Sequence, residues 1–232
     1  LGVRRTAAAG DARRIAENEG GGYDTVVAVG GDGTLNEVIS GLQVLEKQPL
    51  VGYLPQGSTN DFAASLKIPS DPAKAAEAIV RGETRQLDIG CFDERIFVYV
   101  ASFGAFTRVS YAASQGMKNA LGHCRVRITA DGERLDGDYL FGAVANSTSI
   151  AGMMKLDGEQ VVLDDGRFEL LLVPNPKNAA ELQNLIWALL NQQYDAGGLI
   201  FRHVTALHVE TDEDLPWSLD GEYAPSRPAV DI

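Results

Sequence analysis

The chain has 232 residues, 45% of them hydrophobic, with 20 Lys and Arg against 32 Asp and Glu for a formal net charge of −12. That supplies apolar material for one large core or two modest ones. It also argues against a nucleic-acid binder, because no surplus of cations is available to displace counterions from a phosphate backbone.

In the first third, strands alternate with helices. Val26-Val27-Ala28-Val29 is a continuous apolar run, as expected of a strand buried on both faces. Gly30-Gly31-Asp32-Gly33 ends it, and Leu35, Val38, Ile39 and Leu42 then mark one helical stripe. Thr34 and Glu37 read as a capping box, which places the helix start just after the glycines. A second strand is expected over Leu50–Leu54, a loop from Pro55 to Asn60, and a short helix through Phe62 and Leu66. Ser70-Asp71-Pro72 opens a further helix that Gly82 closes. Such alternation with short loops predicts an open parallel α/β sheet.

From Leu87 the pattern changes. Leu87–Ile89, Ile96–Ala101, Arg125–Thr129, Tyr139–Ala145 and Phe168–Val173 read as strands, with hairpin or turn signals at Asp131-Gly132 and Asp164-Asp165-Gly166. One helix intervenes, with Asn178 and Glu181 as its capping pair and Leu182, Leu185, Ile186, Leu189 and Leu190 as its stripe. Many short antiparallel strands predict a sandwich-like second domain. The two cysteines, Cys91 and Cys124, have no CxxC spacing and suit a reduced, cytosolic setting. No apolar run approaches the roughly 18–20 residues of a membrane span, and no signal peptide is visible.

Gly30-Gly31-Asp32-Gly33-Thr34 joins a strand to a helix N-terminus, where free backbone N–H groups and the positive end of the helix dipole suit phosphate. The plainer alternative is an ordinary tight turn. The run lacks the Lys-Ser/Thr pair of a P-loop and the GxGxxG of a dinucleotide fold. Asp32 beside phosphate would be repulsive without a divalent cation between them, so the residue choice implies Mg²⁺. Pro55-Gln56-Gly57-Ser58-Thr59-Asn60-Asp61-Phe62 follows the next strand at the same sheet edge. Its hydroxyls and amide could bond phosphate or ribose oxygens, and Asp61 could cap a helix or share in metal binding. Asp220-Gly221-Glu222 and Asp164-Asp165-Gly166 read as turns, and the latter's carboxylates could hold a hard cation. His123, His203 and His208 have no metal spacing, and a single strand would send the last two to opposite faces. The triplet Asp131-Gly132-Glu133 reads as a solvated hairpin tip.

Together these motifs resemble the diacylglycerol kinase catalytic family, in particular the bacterial lipid kinases related to sphingosine and ceramide kinases. The matching text is Gly30–Leu42, Gly52–Leu66, Leu87–Gly90, Leu163–Phe168 and Asp220–Tyr223. Nicotinamide-dinucleotide kinases share GGDGT, so the combination with GSTNDF and the late DGE carries the specificity. The resemblance implies an α/β ATP-binding domain over residues 1–86 and a β-sandwich domain over 87–232, flanking a cleft, with a C-terminus able to return to the first domain. It implies that Thr6, Gly30, Gly31, Asp32, Gly33, Thr34, Asn36, Glu37, Ser58, Thr59 and Asn60 form the nucleotide site. Asp32 and Asp61 would hold a hydrogen-bond and Mg²⁺ network, and Glu222 would be the general base. Asp165 with the carbonyls of Val162 and Arg167 would match a structural Mg²⁺ site. The implied reaction carries the γ-phosphoryl group of ATP to a lipid hydroxyl, most simply diacylglycerol. The runner-up readings are ribose phosphorylation of NAD and a nucleotide-binding regulator without catalysis.

Transient, peripheral membrane contact is expected through patches around Lys67, Ile68 and Met117-Lys118, and an exposed sheet edge could pair two copies. Two departures from the family pattern lead to the expectation that residues are omitted. The family's first strand and Asn-Pro-x-x-Gly loop do not precede Leu1, and Cys124-Arg125-Val126 follows His123 without the family's intervening helix.

Overall fold

The computed structural model describes residues 1–104, 124–150, 154–155, 161–194 and 196–232. His123, Met117 and Lys118 lie outside the described residues, as does the junction expected before Cys124. The chain divides into two compact units, Leu1–Gln86 and Leu87–Ile232.

The first unit runs α1 (Asp11–Glu19), β1 (Thr25–Gly30), α2 (Asp32–Leu42), β2 (Leu50–Pro55), α3 (Asp61–Ser65) and α4 (Pro72–Arg81). Strands β1 and β2 pair in parallel with Thr25 opposite Leu50 and Gly30 opposite Pro55, so both strands end together. The apolar stripe of α2 is as expected, with Leu35, Val38 and Leu42 buried. Asp71 caps α4 by accepting from Lys74 N–H at 2.9 Å, with Pro72 at its first turn.

Two expectations fail here. Strand β1 is not buried on both faces, since Val27 and Val29 are 40% and 58% exposed; among the described residues its only strand partner is β2. The capping box fails as well. Gly31 takes an extended conformation and α2 starts at Asp32, which leaves Thr34 inside the helix and no side-chain cap. Glu37 instead accepts from Gly10 and Ala12 N–H at 2.6 and 3.0 Å, and so satisfies the start of α1.

The second unit has a curled antiparallel main sheet and, among the described residues, two separate two-stranded sheets. Its strands are β3 (Gly90–Phe92), β4 (Arg95–Phe97), β5 (Val100–Gly104), β6 (Cys124–Ala130), β7 (Glu133–Arg134), β8 (Gly137–Ala145), β9 (Ser149–Ile150), β10 (Met154–Lys155) and β11 (Phe168–Pro174). After α5 (Ala179–Leu190) come β12 (Ile200–Val204), β13 (Leu207–Glu210), β14 (Trp217–Leu219), β15 (Glu222–Ala224) and β16 (Ala229–Asp231). The main sheet runs β15-β14-β5-β8-β6-β13-β16, with β11 pairing β8 and β12, and β7 pairing β6. β6 alternates buried and exposed residues along its whole length, as its sequence predicts. Phe92, Phe103 and Trp217 meet edge to face in the core, with ring centroids 5.0 and 4.9 Å from the indole. Glu169 on β11 is a buried carboxyl: burial pushes it up to about 8, and His203 Nε2 stands 3.9 Å away.

Four further readings are corrected. Leu87–Ile89 is a loop rather than a strand, and β3 begins at Gly90. The run Ile96–Ala101 is not one strand. It breaks at Val98-Tyr99, where a buried carboxylate takes the amides that a strand neighbour would otherwise use. His203 and His208 lie on two strands, β12 and β13, instead of one. The capping pair of α5 forms, Asn178 accepting from Glu181 N–H at 2.9 Å, yet Leu182, Ile186 and Leu190 are exposed and the buried contacts are Leu185 and Ala188. Among the described residues no helix is long and apolar enough to cross a membrane.

Candidate functional site

The parallel register of β1 and β2 releases two glycine-bearing loops side by side. Gln56 N–H donates to Gly30 C=O at 2.7 Å, which ties the loops at their roots. Beyond that tie the backbones nearly touch. A β-carbon on Gly57 would stand 2.5 Å from Gly31 Cα and 2.8 Å from Asn60 Oδ1, so glycine is required at this approach. Asn60 closes its own loop, accepting from Gly57 N–H at 2.8 Å and donating to Gly57 C=O at 2.9 Å from a left-handed backbone.

Asp32 links the two loops. It begins α2, and one of its oxygens accepts from Asp61 N–H, at the start of α3, at 3.1 Å. The other is 3.4 Å from the Tyr53 hydroxyl, which stands at the same distance from Asn60 Oδ1. Burial, opposed by these hydrogen bonds, holds the Asp32 carboxyl above its ordinary range. Burial and the neighbouring charge of Asp32 push Asp61 in the same direction. A half-buried and a buried carboxyl, the charge of Asp32 disfavouring ionisation of Asp61, supply hard oxygen donors that fit a divalent cation. The first turn of α2 has no side-chain cap, and uncapped N–H groups at a helix start suit an anion.

The remaining first-unit residues lie on the second loop, on α2 and beside β1. Ser58 and Thr59 are exposed on the second loop, and Asn36 lies on α2, where it accepts from the Ser40 hydroxyl at 3.2 Å. Thr6 and Thr34 line one cavity of about 250 Å³ along β1. The Glu37 carboxylate is committed to the start of α1. Tyr53 is a site residue that the sequence reading missed, because an aromatic residue in a strand run carries no signal beyond core packing.

In the second unit, Glu222 opens β15 and pairs with Leu219 across a two-residue turn, Asp220-Gly221, whose φ values are 50° and 85°. The expected turn is therefore present, and Glu222 is exposed on it. The Asp164-Asp165-Gly166 turn also forms. Asp165 Oδ1 accepts from Arg167 N–H at 2.9 Å, and Gly166 N–H donates to Asp88 Oδ2 at 2.6 Å. Asp88 N–H donates to Leu163 C=O, while Asn146 Nδ2 donates to the carbonyls of both Asp88 and Leu163. The Leu87–Gly90 and Leu163–Phe168 motifs thus meet in space. Their loop offers one carboxylate at Asp165 and the carbonyls of Val162 and Arg167, a donor set that suits a hard cation. Among the described residues no group of three or more His, Cys, Asp and Glu side chains forms a metal cluster.

Residues 1–92 match the family model of the diacylglycerol kinase catalytic domain. The chain is 33% identical over 224 residues to the diacylglycerol kinase of Staphylococcus carnosus, covering 89% of this chain and 72% of the relative. It is 31% identical over 241 residues to that of Bacillus subtilis, covering 96% and 79%. A diacylglycerol kinase crystal structure from Bacillus anthracis superposes with a TM-score of 0.77 at 22% identity, covering 97% of this chain and 79% of that one. A second crystal structure from the same organism gives 0.82 at 23%. These two likenesses establish the fold.

Proposed function

Because this chain belongs to the diacylglycerol kinase family, we propose that it transfers the γ-phosphoryl group of ATP to the hydroxyl of diacylglycerol, giving phosphatidic acid and ADP. The observation that carries this reading is the paired loop at the ends of β1 and β2, where glycine at 31 and 57 lets the two backbones approach closely and Asp32 joins the two segments. The amides of Gly30, Gly31, Asp32, Gly33 and Thr34 bind the phosphates, and Thr6, Asn36, Ser58, Thr59 and Asn60 complete the nucleotide site. Asp32 and Asp61 are the residues that would hold Mg²⁺; bound with the nucleotide, the ion neutralises phosphate charge. Asp165 with the carbonyls of Val162 and Arg167 would hold a second, structural Mg²⁺.

Glu222 accepts the proton of the lipid hydroxyl. The lipid hydroxyl oxygen forms the new bond to the γ-phosphorus while the bridging bond to the β-phosphate breaks, and ADP leaves with the electron pair. The acceptor is met by transient peripheral contact with a bilayer, to which exposed Lys67 and half-buried Ile68 contribute.

The test is ATP-dependent phosphorylation of diacylglycerol presented in vesicles, with product mass as the readout and flotation of the same vesicles as a check on contact. Glu222→Gln should lower kcat by about 10²–10⁴-fold, the usual contribution of a general base, and leave nucleotide affinity unchanged. A parent chain that forms no phosphatidic acid refutes the function. A Glu222→Gln variant that turns over at the parent rate removes Glu222 from the mechanism.

A further inference from the structure

Asp220, two residues before the exposed Glu222, is 4% exposed. Its carboxylate accepts from three consecutive backbone amides: Val98 N–H at 2.6 Å, Tyr99 N–H at 3.0 Å and Val100 N–H at 3.0 Å. Its own N–H returns a bond to Val100 C=O at 2.8 Å. The acceptor and the donors are about 120 positions apart, since the separations are 122, 121 and 120. The strand run expected over Ile96–Ala101 breaks at this bend, and β5 resumes at Val100 to pair with β14, Leu219 lying opposite Ala101.

The turn that follows Leu219 is only two residues long, so locking its first corner fixes where β15 begins. Asp220 itself has φ of 50°, in the left-handed region that a residue other than glycine adopts at a cost. A side chain held by three buried amides outweighs that cost.

We propose that Asp220 is a positioning residue: anchored on the Val98–Val100 bend, it holds the β14–β15 turn so that Glu222 stands in one place to receive the acceptor's proton. The proposal rests on the reading of Glu222 as general base and adds to it the element that orients that base. A carboxylate suits this task better than its amide, because both oxygens accept. In Asn, one of them is replaced by an NH₂ group that would face backbone N–H donors.

Asp220→Asn, Glu222→Gln and the double variant are compared with the parent in the vesicle assay, alongside amide hydrogen exchange. In Asp220→Asn, exchange should accelerate in the segments around 98–100 and 217–224. Its kcat should fall about 10–100-fold, the scale of a misplaced catalytic group, with KM for ATP unchanged. The double variant should be no slower than Glu222→Gln alone. Parent kcat in Asp220→Asn, or effects that multiply in the double variant, overturns the positioning role while the reading of Glu222 stands. Parent kcat in Glu222→Gln overturns both.

Should Asp220→Asn not fold, Gly221→Ala reads the same turn from its other corner. Gly221 has φ of 85°, and an added β-carbon would meet only Tyr99 Oη, at 4.0 Å, so the substitution strains the turn without a clash. Its kcat should also fall with KM for ATP unchanged, and an unaltered kcat counts against the proposal.

Discussion

Asp32, Glu37, Asp88 and Asp220 share one habit: each carboxylate accepts a backbone N–H from another element or loop. Such bonds join segments distant in sequence, and their number follows from the donors that strand breaks and helix starts leave over. His208 shows the complementary surface case. Its Nδ1 lies 2.6 Å from Asp231 Oδ1 and its Nε2 3.7 Å from Glu210 Oε1, and the bond to Asp231 is the main cause that raises its pKa above the ordinary value. The folded chain therefore holds a proton more tightly than the unfolded one. The resulting stability is fully present below the unfolded value of about 6.5, and is lost as pH rises through the higher folded value. Urea titrations of parent and His208→Gln should differ most near pH 6, with the variant less stable, and converge toward pH 9. Added salt should shrink the gap, because the pair is open to solvent. A gap that widened with pH would assign the wrong charge state to the pair.

The α1–α2 pair shows why some elements were legible and others were not. α1 has one large apolar residue, Ile15, and buries Ala12 and Ala16 instead of a stripe. Gly41 on α2 makes the close approach possible, since a β-carbon there would stand 2.3 Å from Arg13 C=O. A search for apolar periodicity passes over a helix packed through small residues, and α1 was missed. Capping is a second case. Asn178 with Glu181 and Thr34 with Glu37 present the same pattern, yet only the first forms. Asn178 is extended at φ −154° and ψ 171°, whereas Gly31 takes the extended place before α2 and draws Thr34 into the helix. Period-2 alternation exposed β6, while the break before β5 depends on Asp220, far along the chain, and leaves no local trace. The glycine loops and the Asp-Gly-Glu turn were legible because their chemistry is local. Glu37→Ala tests the misread element: with two amides at the start of α1 left unsatisfied, unfolding free energy should drop by about 1–2 kcal/mol. Chemical denaturation measures this, and an unchanged midpoint would show that water replaces the carboxylate at no cost.

At the scale of the molecule, the proposed ligands divide between two separately compact units. Every residue assigned to nucleotide lies within Leu1–Gln86, while the Asp165 loop and Glu222 lie within Leu87–Ile232. A ligand that binds only the folded form stabilises it by RT ln(1 + [L]/Kd), about 2.7 kcal/mol at 100 times Kd, and that stabilisation slows amide exchange most where the ligand sits. Two ligand additions should therefore leave separate footprints. Mg²⁺ alone should slow exchange around residues 162–167 and the Asp88 segment bonded to them. ATP added with Mg²⁺ should extend protection to 30–37 and 57–62, and chelation should reverse both. If Mg²⁺ alone protected the Gly30 loop and left 162–167 unchanged, the structural cation would be lost from the account and Asp165 would be only the closing residue of its turn. If ATP with Mg²⁺ protected neither glycine loop, the close approach of Gly31 and Gly57 would be a feature of packing, and the phosphates would have to be sought elsewhere on the chain.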